Sequence, residues 1–195
     1  RLVMKQQDRA VTPVISTVLM VAIVIILAAT ASVFFLDFTE KINEPAPNVA
    51  DTTGEFAIDE SNAFDNQIVR ITHLAGESVA VEEIEIIVRA SGPDIAAEAR
   101  LVDLPGDGFF TRSLDDSNID GNEDLVDQGY QSARIIVVDD SNRWTAGKTI
   151  EFRINTGTAD FRDSAEGDPN EANELEVIIV HTPSNAIISE DTFTP

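Results

Sequence analysis

The sequence predicts an α+β protein in which a long N-terminal hydrophobic α-helix precedes an all-β head of the immunoglobulin-like sandwich type. First, no charged residue occurs between residues 10 and 36, a run longer than the roughly 20 apolar residues that span a bilayer. Second, the residues beyond it alternate apolar and polar with a period of two, which indicates strands. Third, Gly- and Pro-containing turns separate these strands with no helical period between them, as in antiparallel sandwiches.

The hydrophobic segment is predicted as a helix over 11–43, preceded by a basic leader over 1–10 with Arg1, Lys5 and Arg9. Its uncharged part is about 40 Å long at 1.5 Å per residue, enough to cross a hydrocarbon layer about 30 Å thick. The basic flank predicts a cytoplasmic N-terminus. Apolar residues surround the helix, which is typical of a helix buried on every face by lipid or by other helices. The side chains predicted to contact neighbouring helices are Val14, Val18, Leu19, Val21, Ile23, Ile25, Ile26, Leu27, Phe34 and Phe35.

A linker over 44–54 and a head over 55–195 are predicted after the helix. The Glu44-Pro-Ala-Pro run ends the helical pattern, because the residue before a proline disfavours the helical conformation. In the head, Ile84 and Ile86 alternate with Glu83 and Glu85, the pattern of a strand with one buried face. The predicted strands lie at 68–74, 79–88, 99–104, 134–138, 149–154 and 175–180.

The charge balance restricts the partners of the head. From Asp37 onward the chain has ten basic and 34 acidic residues, a net charge of −24. This charge argues against nucleic acid or anionic lipid as a partner of the head. Three lysines among so many carboxylates favour a halophilic source, where concentrated salt screens repulsion within a few ångströms. An ordinary acidic secreted domain is the alternative.

No catalytic site is predicted. The chain has no cysteine and therefore no disulfide or thiolate chemistry. His73 and His181 lie in or at the end of predicted strands, and Ser184 lacks the Gly-x-Ser-x-Gly turn of serine hydrolases. We therefore expect the protein not to be an enzyme, although carboxylate chemistry of the glycosidase type remains an open alternative.

The acidic segment 116–127 resembles a calcium-binding loop. It places oxygen donors at loop positions 1, 3, 5, 9 and 12, with the required glycine, Gly121, at position 6. Hard oxygen ligands suit Ca²⁺ better than a transition metal. The alternative is a solvated acidic loop, and Ca²⁺ is the only cofactor that the sequence suggests. The candidate ligand residues are Asp116, Asn118, Asp120, Asn122, Asp124 and Asp127.

Three interpretations of the hydrophobic segment remain. A cleaved secretory signal has a shorter apolar core followed by a small-x-small site, and this run is too long for one. A permanent membrane anchor fits the length and the basic flank. In the third interpretation, a membrane peptidase cuts just before the apolar run, after Asp8-Arg9-Ala10, and leaves the helix on the mature protein.

The stretch from Asp8 to Ala29, DRAVTPVISTVLMVAIVIILAA, resembles the N-terminal signature of haloarchaeal type IV pilins. The stretches 144–150 and 180–186 are similar to segments of the heads in that family. The resemblance implies that a prepilin peptidase cuts the Ala10–Val11 bond. It also implies that the membrane-inserted precursor is assembled with itself by an ATPase and a membrane platform, the helices forming the filament core. The glutamate that bacterial pilins carry near the start of the helix has no counterpart here before Asp37.

These observations predict the structural subunit of an extracellular archaeal adhesion pilus that polymerises through its helix and does not bind nucleic acid. One alternative is an archaellum filament subunit, which shares the plan of helix and sandwich but usually begins with a Gly-rich segment. The other alternative is a membrane-anchored extracytoplasmic binding protein or enzyme that does not polymerise.

Overall fold

A computed structural model of the protein describes residues 11–42, 46–60, 67–106, 114–128 and 142–195. The chain divides between Glu44 and Pro45 into two compact units. The first contains the helix α1 (Val11–Ile42), and the second contains only strands and short 3₁₀ turns among its described residues. The α+β class predicted from the sequence is therefore confirmed.

The sequence of α1 suits an apolar environment better than water. It is rich in valine and isoleucine, which are only moderate helix formers in water. Where water is absent, intrahelical hydrogen bonding becomes obligatory for the backbone, so the helix is strongly favoured there. Pro13 occupies the third helical position, where an N–H group has no intrahelical acceptor in any case. The proline therefore does not disrupt the helix.

Ten strands build three antiparallel sheets in the head. A three-stranded sheet has the order β1-β2-β8, a five-stranded sheet has the order β10-β9-β4-β5-β6, and a two-stranded ribbon pairs β3 with β7. The strand bounds are β1 Val49–Ile58, β2 Gln67–Gly76, β3 Val79–Ala80, β4 Ile84–Ser91, β5 Ala96–Leu101, β6 Ile119–Gly121, β7 Arg143–Trp144, β8 Thr149–Arg153, β9 Glu174–His181 and β10 Ala186–Phe193.

One hydrophobic core joins the two larger sheets. Val69 of β2 and Phe152 of β8 are fully buried, and so are Val88 of β4 and Val177 of β9. All four belong to the same cluster of packed side chains. Since each strand buries alternate residues, the inner faces of the two sheets form this core between them, as in a β-sandwich.

The structure differs from the sequence-based strand assignment at several places. Strand β5 is Ala96–Leu101 where 99–104 was predicted, and the short strands β6 and β7 were not predicted. Strand β1 begins at Val49, within the stretch 44–54 assigned to the linker, and β10 was not predicted. Both lie at the edges of sheets and lack a strong apolar alternation, since their polar residues are grouped together, as VADTTGEFAI in β1 and AIISEDTF in β10. The predicted strand 79–88 is interrupted by a 3₁₀ turn at Val81–Glu83, with Val81 fully buried. The predicted strand at 134–138 lies outside the described residues.

Gln67 is a buried polar residue at the start of β2. Its side chain is 0 % exposed, and Nε2 donates to the carbonyl oxygens of Ile154 (3.2 Å) and Ala159 (2.8 Å). Its Oε1 accepts a hydrogen bond from the backbone N–H of Phe161 at 2.5 Å. One side chain thus satisfies three backbone groups of the turn that follows β8, as buried polar groups require.

Asp160 and Arg162 form an ion pair in the same turn. Arg162 donates from Nε to Asp160 Oδ1 at 2.8 Å and from its terminal nitrogen to Oδ2 at 2.5 Å. Burial of the Asp160 carboxyl raises its pKa, but the hydrogen bonds from Arg162 outweigh burial and hold the pKa below its usual value. The same hydrogen bonds raise the pKa of Arg162.

We expect the Asp160–Arg162 pair to stabilise the head at neutral pH and to lose this effect in acid. The folded-state pKa of Asp160 lies below the unfolded value, so the contribution is complete above about pH 5 and is lost as the pH falls through about 4 and below. Asp160→Asn should lower the free energy of unfolding at pH 7 by about 1–3 kcal/mol, and the difference between wild type and variant should narrow as the pH falls below about 4. Urea unfolding followed by the fluorescence of Trp144 measures both quantities. Glu190→Gln in exposed β10 is the control for loss of one negative charge, and a difference that stays constant down to pH 3 would contradict this assignment.

Candidate assembly surface on the N-terminal helix

The helix α1 exposes large apolar side chains in all directions. Its 32 residues span about 48 Å at 1.5 Å per residue. The consecutive residues Ile23, Val24, Ile25, Ile26 and Leu27 are each 55–62 % exposed. Because successive helical residues are rotated by about 100°, five in a row leave no polar side of the helix at this level. A surface of this kind is not stable in water as an isolated rod, so lipid or other protein must cover it.

Three hydroxyl groups of the described helical side chains form hydrogen bonds within the helix. Thr17 Oγ1 donates to the carbonyl oxygen of Val14 at 2.9 Å, and Thr30 Oγ1 donates to that of Leu27 at 3.0 Å. Ser32 Oγ donates to the carbonyl oxygen of Ala28 at 2.8 Å. These side chains therefore enter an apolar environment without an unsatisfied donor. By length and composition, Val14–Ser32 is long and apolar enough to cross a membrane.

The residues predicted to make helix contacts are found on this surface where their side chains are described. All eight from Val14 to Leu27 are exposed, whereas the side chains of Phe34 and Phe35 lie outside the described residues. Three residues omitted from the prediction are equally exposed, namely Ile15 (54 %), Met20 (67 %) and Val24 (55 %). The unbroken apolar run already contained the signal for them, since no side of such a helix is excluded from contact.

Only one residue of the candidate processing bond is described. Val11 is the first residue of α1, and its neighbour Ala10 lies outside the described residues. A cut between them would leave the entire described helix on the mature chain. Cleavage at this bond stays a prediction.

The candidate calcium loop is divided between a 3₁₀ turn and a strand. Asn118 is 3 % exposed, and its amide donates to the carbonyl oxygens of Val102 (3.2 Å) and Asp103 (3.1 Å). Its Oδ1 accepts from the backbone N–H of Asp115 at 3.2 Å. The structure thus uses Asn118 to cap the turn.

The other candidate calcium ligands are spread along the same segment. Asp116 belongs to the 3₁₀ turn, and Asp120 is exposed in β6. Asn122 Oδ1 accepts a hydrogen bond from the N–H of Asp124 at 3.1 Å, and Asp127 follows the short bridge at Val126.

Calcium binding stays a prediction, and we expect it to be weak. In the described ranges, no group of three or more His, Asp or Glu side chains is placed to hold a metal ion. To bind calcium through Oδ1, Asn118 would have to give up the hydrogen bond that this oxygen accepts from the backbone N–H of Asp115. Titration of the full chain in detergent with CaCl₂ should therefore give no saturable heat at submillimolar calcium. A rise in melting temperature at submillimolar calcium that disappears in Asp124→Asn would contradict this expectation.

The structure brings His181 and Ser184 together, a contact that the sequence analysis did not predict. His181 Nδ1 lies 2.7 Å from Ser184 Oγ, and His181 Nε2 lies 3.9 Å from Glu83 Oε2. Ser184 belongs to the four-residue turn between β9 and β10, in which Asn185 has a positive φ of 55°. The contact is local, three residues apart, and closes this hairpin.

Three rows of side chains cross the outer face of the three-stranded sheet. Alternate residues of β2 are buried, so Arg70 lies on the outside with its pairing partners Glu55 of β1 and Glu151 of β8. Arg70 Nε is 2.8 Å from Glu151 Oε2, Arg70 Nη1 is 3.8 Å from Glu55 Oε1, and Arg153 Nη2 is 3.8 Å from Glu151 Oε1. We call this surface the balanced face, since its two arginines and two glutamates give no net charge. Its rows are Thr53–Thr72–Thr149, Glu55–Arg70–Glu151 and Ala57–Ile68–Arg153.

The outer face of the five-stranded sheet is acidic. Arg89 Nε lies 2.6 Å from Glu98 Oε2 and its Nη1 lies 2.9 Å from Glu176 Oε2, and these hydrogen bonds raise the pKa of Arg89. Arg100 Nη1 lies 3.6 Å from Glu85 Oε2. Two arginines therefore face six carboxylates, a net charge of −4. The carboxylates on this face are Glu85, Glu98, Asp120, Glu174, Glu176 and Glu190.

The comparison with protein families concerns the helix and the first residues after it. Residues 9–50 match the family model of the archaeal type IV pilin N-terminal domain. This match supports an archaeal type IV pilin, and it covers all of α1 together with the first two residues of β1. No curated protein matches the chain. A pilin N-terminal domain indicates a structural subunit that assembles into a filament of itself, and it fits a membrane-anchored precursor and a surface filament.

Proposed function

We propose that the protein is the structural subunit of an extracellular archaeal type IV pilus and that α1 forms the core of the filament. The observation that carries the proposal is a helix apolar on all sides whose residues match the pilin N-terminal family. In the precursor, lipid covers this surface. In the filament, the helices of other copies cover it, and the β heads coat the outside.

The free energy of burial explains why such a helix does not remain in water. At roughly 25 cal/mol per Å², removing 1,000 Å² of apolar surface from water corresponds to about 25 kcal/mol before ordering costs. Moving the same surface from lipid to protein gains far less, because lipid is already apolar. We therefore propose that an assembly ATPase and a membrane platform transfer the subunit from the bilayer to the filament.

The proposed processing step is cleavage of the Ala10–Val11 bond by a prepilin peptidase. It would remove the basic leader that holds the N-terminus on the cytoplasmic side and leave the described helix intact. Mass spectrometry of the protein from sheared surface filaments tests this step, with Val11 as the expected N-terminal residue. Electron microscopy with an antibody against the head tests assembly itself. Membrane-bound monomers with residues 1–10 still attached, and no fibres containing the chain, would refute the proposed function.

An archaellum subunit is the first alternative, because the family match to the N-terminal domain does not distinguish the two kinds of filament. The segment from Val11 to Ser16 contains no glycine, whereas the archaellum family usually starts with a Gly-rich segment, and this favours a pilus. Swimming assays on a deletion strain separate the two, since we expect motility to persist and surface attachment to decrease. The second alternative is an anchored binding protein or enzyme. It predicts monomers in the membrane fraction.

We also propose a halophilic source, and from it a dependence of the filament on salt. The charge of −24 from Asp37 onward is screened within about 3 Å at molar salt but repels over about 10 Å at 0.1 M. Dialysis of filaments from molar to millimolar NaCl should loosen bundles and shorten filaments, as measured by light scattering and electron microscopy. Dialysis against equally concentrated KCl is the control and should leave them unchanged. Filaments that keep their length and bundling at millimolar salt would contradict this prediction.

A further inference from the structure

The balanced face differs from the remainder of the head in its electrostatics. From Asp37 onward acidic residues outnumber basic ones by 24, yet the three rows of this face carry no net charge, with the exposed Asp51 of β1 next to them. Three of its four charged side chains are already partly withdrawn from water, since Glu55 is 68 % exposed but Arg70, Glu151 and Arg153 are only 34 %, 26 % and 14 % exposed. Covering them with another surface therefore removes little further hydration.

Uncharged groups extend this face from Arg70 towards the C-terminal end of β2. Thr72 Oγ1 and Thr149 Oγ1 are hydrogen-bonded to each other at 2.8 Å, so neither hydroxyl depends on water alone for a partner. Leu74, two residues further along β2, is 47 % exposed. The centre of a protein interface is typically depleted in net charge and enriched in apolar area. The three rows of the balanced face satisfy the first condition, and the outer face of the five-stranded sheet, with its net charge of −4, does not.

We propose that the balanced face is the surface through which the head of one copy contacts the head of the next copy in the filament. The inference rests on the proposed function, because it requires an assembly that brings heads together. Two strongly acidic heads repel wherever carboxylates face carboxylates. Electrostatic repulsion between two heads is smallest where, on one of the two surfaces, each described charge already has an oppositely charged partner on that same surface.

Helical symmetry determines what the balanced face meets on the next copy. Copies in a polar filament are related by a rotation and a translation and not by a twofold axis, so the contact is heterologous. The balanced face therefore lies against a different surface of its neighbour. A single cysteine on this face would not meet the same cysteine of the next copy, and its protection from a reagent is the appropriate measurement.

The absence of cysteine in the chain allows a direct test with two matched variants. Thr53→Cys places a thiol on the exposed edge of the balanced face, and Thr192→Cys places one on exposed β10 at the outer face of the five-stranded sheet. Each full-length variant is labelled with a maleimide, once in intact filaments and once dispersed in detergent micelles. The thiol of Thr53→Cys should react about tenfold more slowly in filaments than in micelles, because interfaces exclude solvent. The thiol of Thr192→Cys should react at similar rates in both.

The outcomes separate this inference from the proposed function. Equal rates for Thr53→Cys in filaments and micelles, or equal protection of both variants, would overturn the inference while filaments still exist. A Thr53→Cys chain that stays folded by Trp144 fluorescence but forms no fibres, beside a Thr192→Cys chain that does, would support it. The variants Thr53→Glu and Thr192→Glu extend the test, since a charge added to the balanced face should reduce filament yield several-fold more than the same charge on β10. If the unmodified chain forms no fibres, the proposed function itself fails, and with it the contact between heads.

Discussion

Ile23→Asp should abolish filament formation. Ile23 lies midway along the span Val14–Ser32 and is 57 % exposed on the isolated helix. A carboxylate there enters either the centre of the bilayer or the packed helices of the filament. Insertion into the bilayer centre alone costs about 2.5–3.5 kcal/mol, roughly 100-fold in the population of inserted subunits. The described side chains of the helix include no basic group that could pair with the new charge. Counting immunolabelled fibres per cell measures the effect.

Two control variants separate the position of the charge from its presence. Ile23→Leu keeps the side chain apolar and of equal size, and it should assemble like the wild type. Thr192→Asp adds the same charge to an exposed strand of the head and should leave fibres present, because a carboxylate in water has no desolvation penalty. Normal numbers of fibres from Ile23→Asp would show that α1 is not enclosed by lipid or by other copies, contrary to the proposed function.

Gln67→Leu should be among the most destabilising single substitutions in the head. It removes both donors and the acceptor that serve Ile154, Ala159 and Phe161 and places a leucine in a fully buried position. Buried backbone groups left without partners cost about 1–3 kcal/mol each, so we expect a loss of about 3–5 kcal/mol in the free energy of unfolding. This is a large fraction of the roughly 5–15 kcal/mol that stabilises a typical domain.

The unfolding of the head can be followed separately from the helix. The chain has one tryptophan, and Trp144 is fully buried in the head, so its fluorescence reports on that unit alone. Gln128→Leu is the matched control, because Gln128 Nε2 donates one exposed hydrogen bond to the carbonyl of Glu123. It should change the stability by less than about 1 kcal/mol. Equal unfolding midpoints for Gln67→Leu and the wild type would show that the turn after β8 does not depend on this side chain.

The family match and the helix could be predicted from the sequence because their signals are local. An uncharged run such as 10–36 specifies a helix for an apolar environment without reference to any distant residue. Strands β2 and β8 could also be predicted, since buried and partly exposed residues alternate over most of their length. Strands β1 and β10 could not, because edge strands without a regular apolar alternation are specified by the neighbour with which they pair.

The roles of residues whose partners lie far away in the sequence could be assigned only from the tertiary structure. Asn118 occupies a calcium-ligand position in the sequence, yet in the fold its amide caps a turn and binds carbonyls about 15 residues away. Gln67 gave no signal, because the atoms that it satisfies lie 87 to 94 residues further along the chain. The balanced face likewise exists only through the register that sets Arg70 between Glu55 and Glu151.

The sequence by itself therefore determined that one segment of this protein must leave water and that the remainder is a strongly acidic β head. Composition and periodicity suffice for both statements, because hydrophobicity and net charge are sums over residues that do not depend on the fold. The tertiary structure decided which charges neutralise one another and which polar side chains are structural. Hydrogen bonds and ion pairs act only over a few ångströms, so strand register, and not sequence proximity, selects their partners.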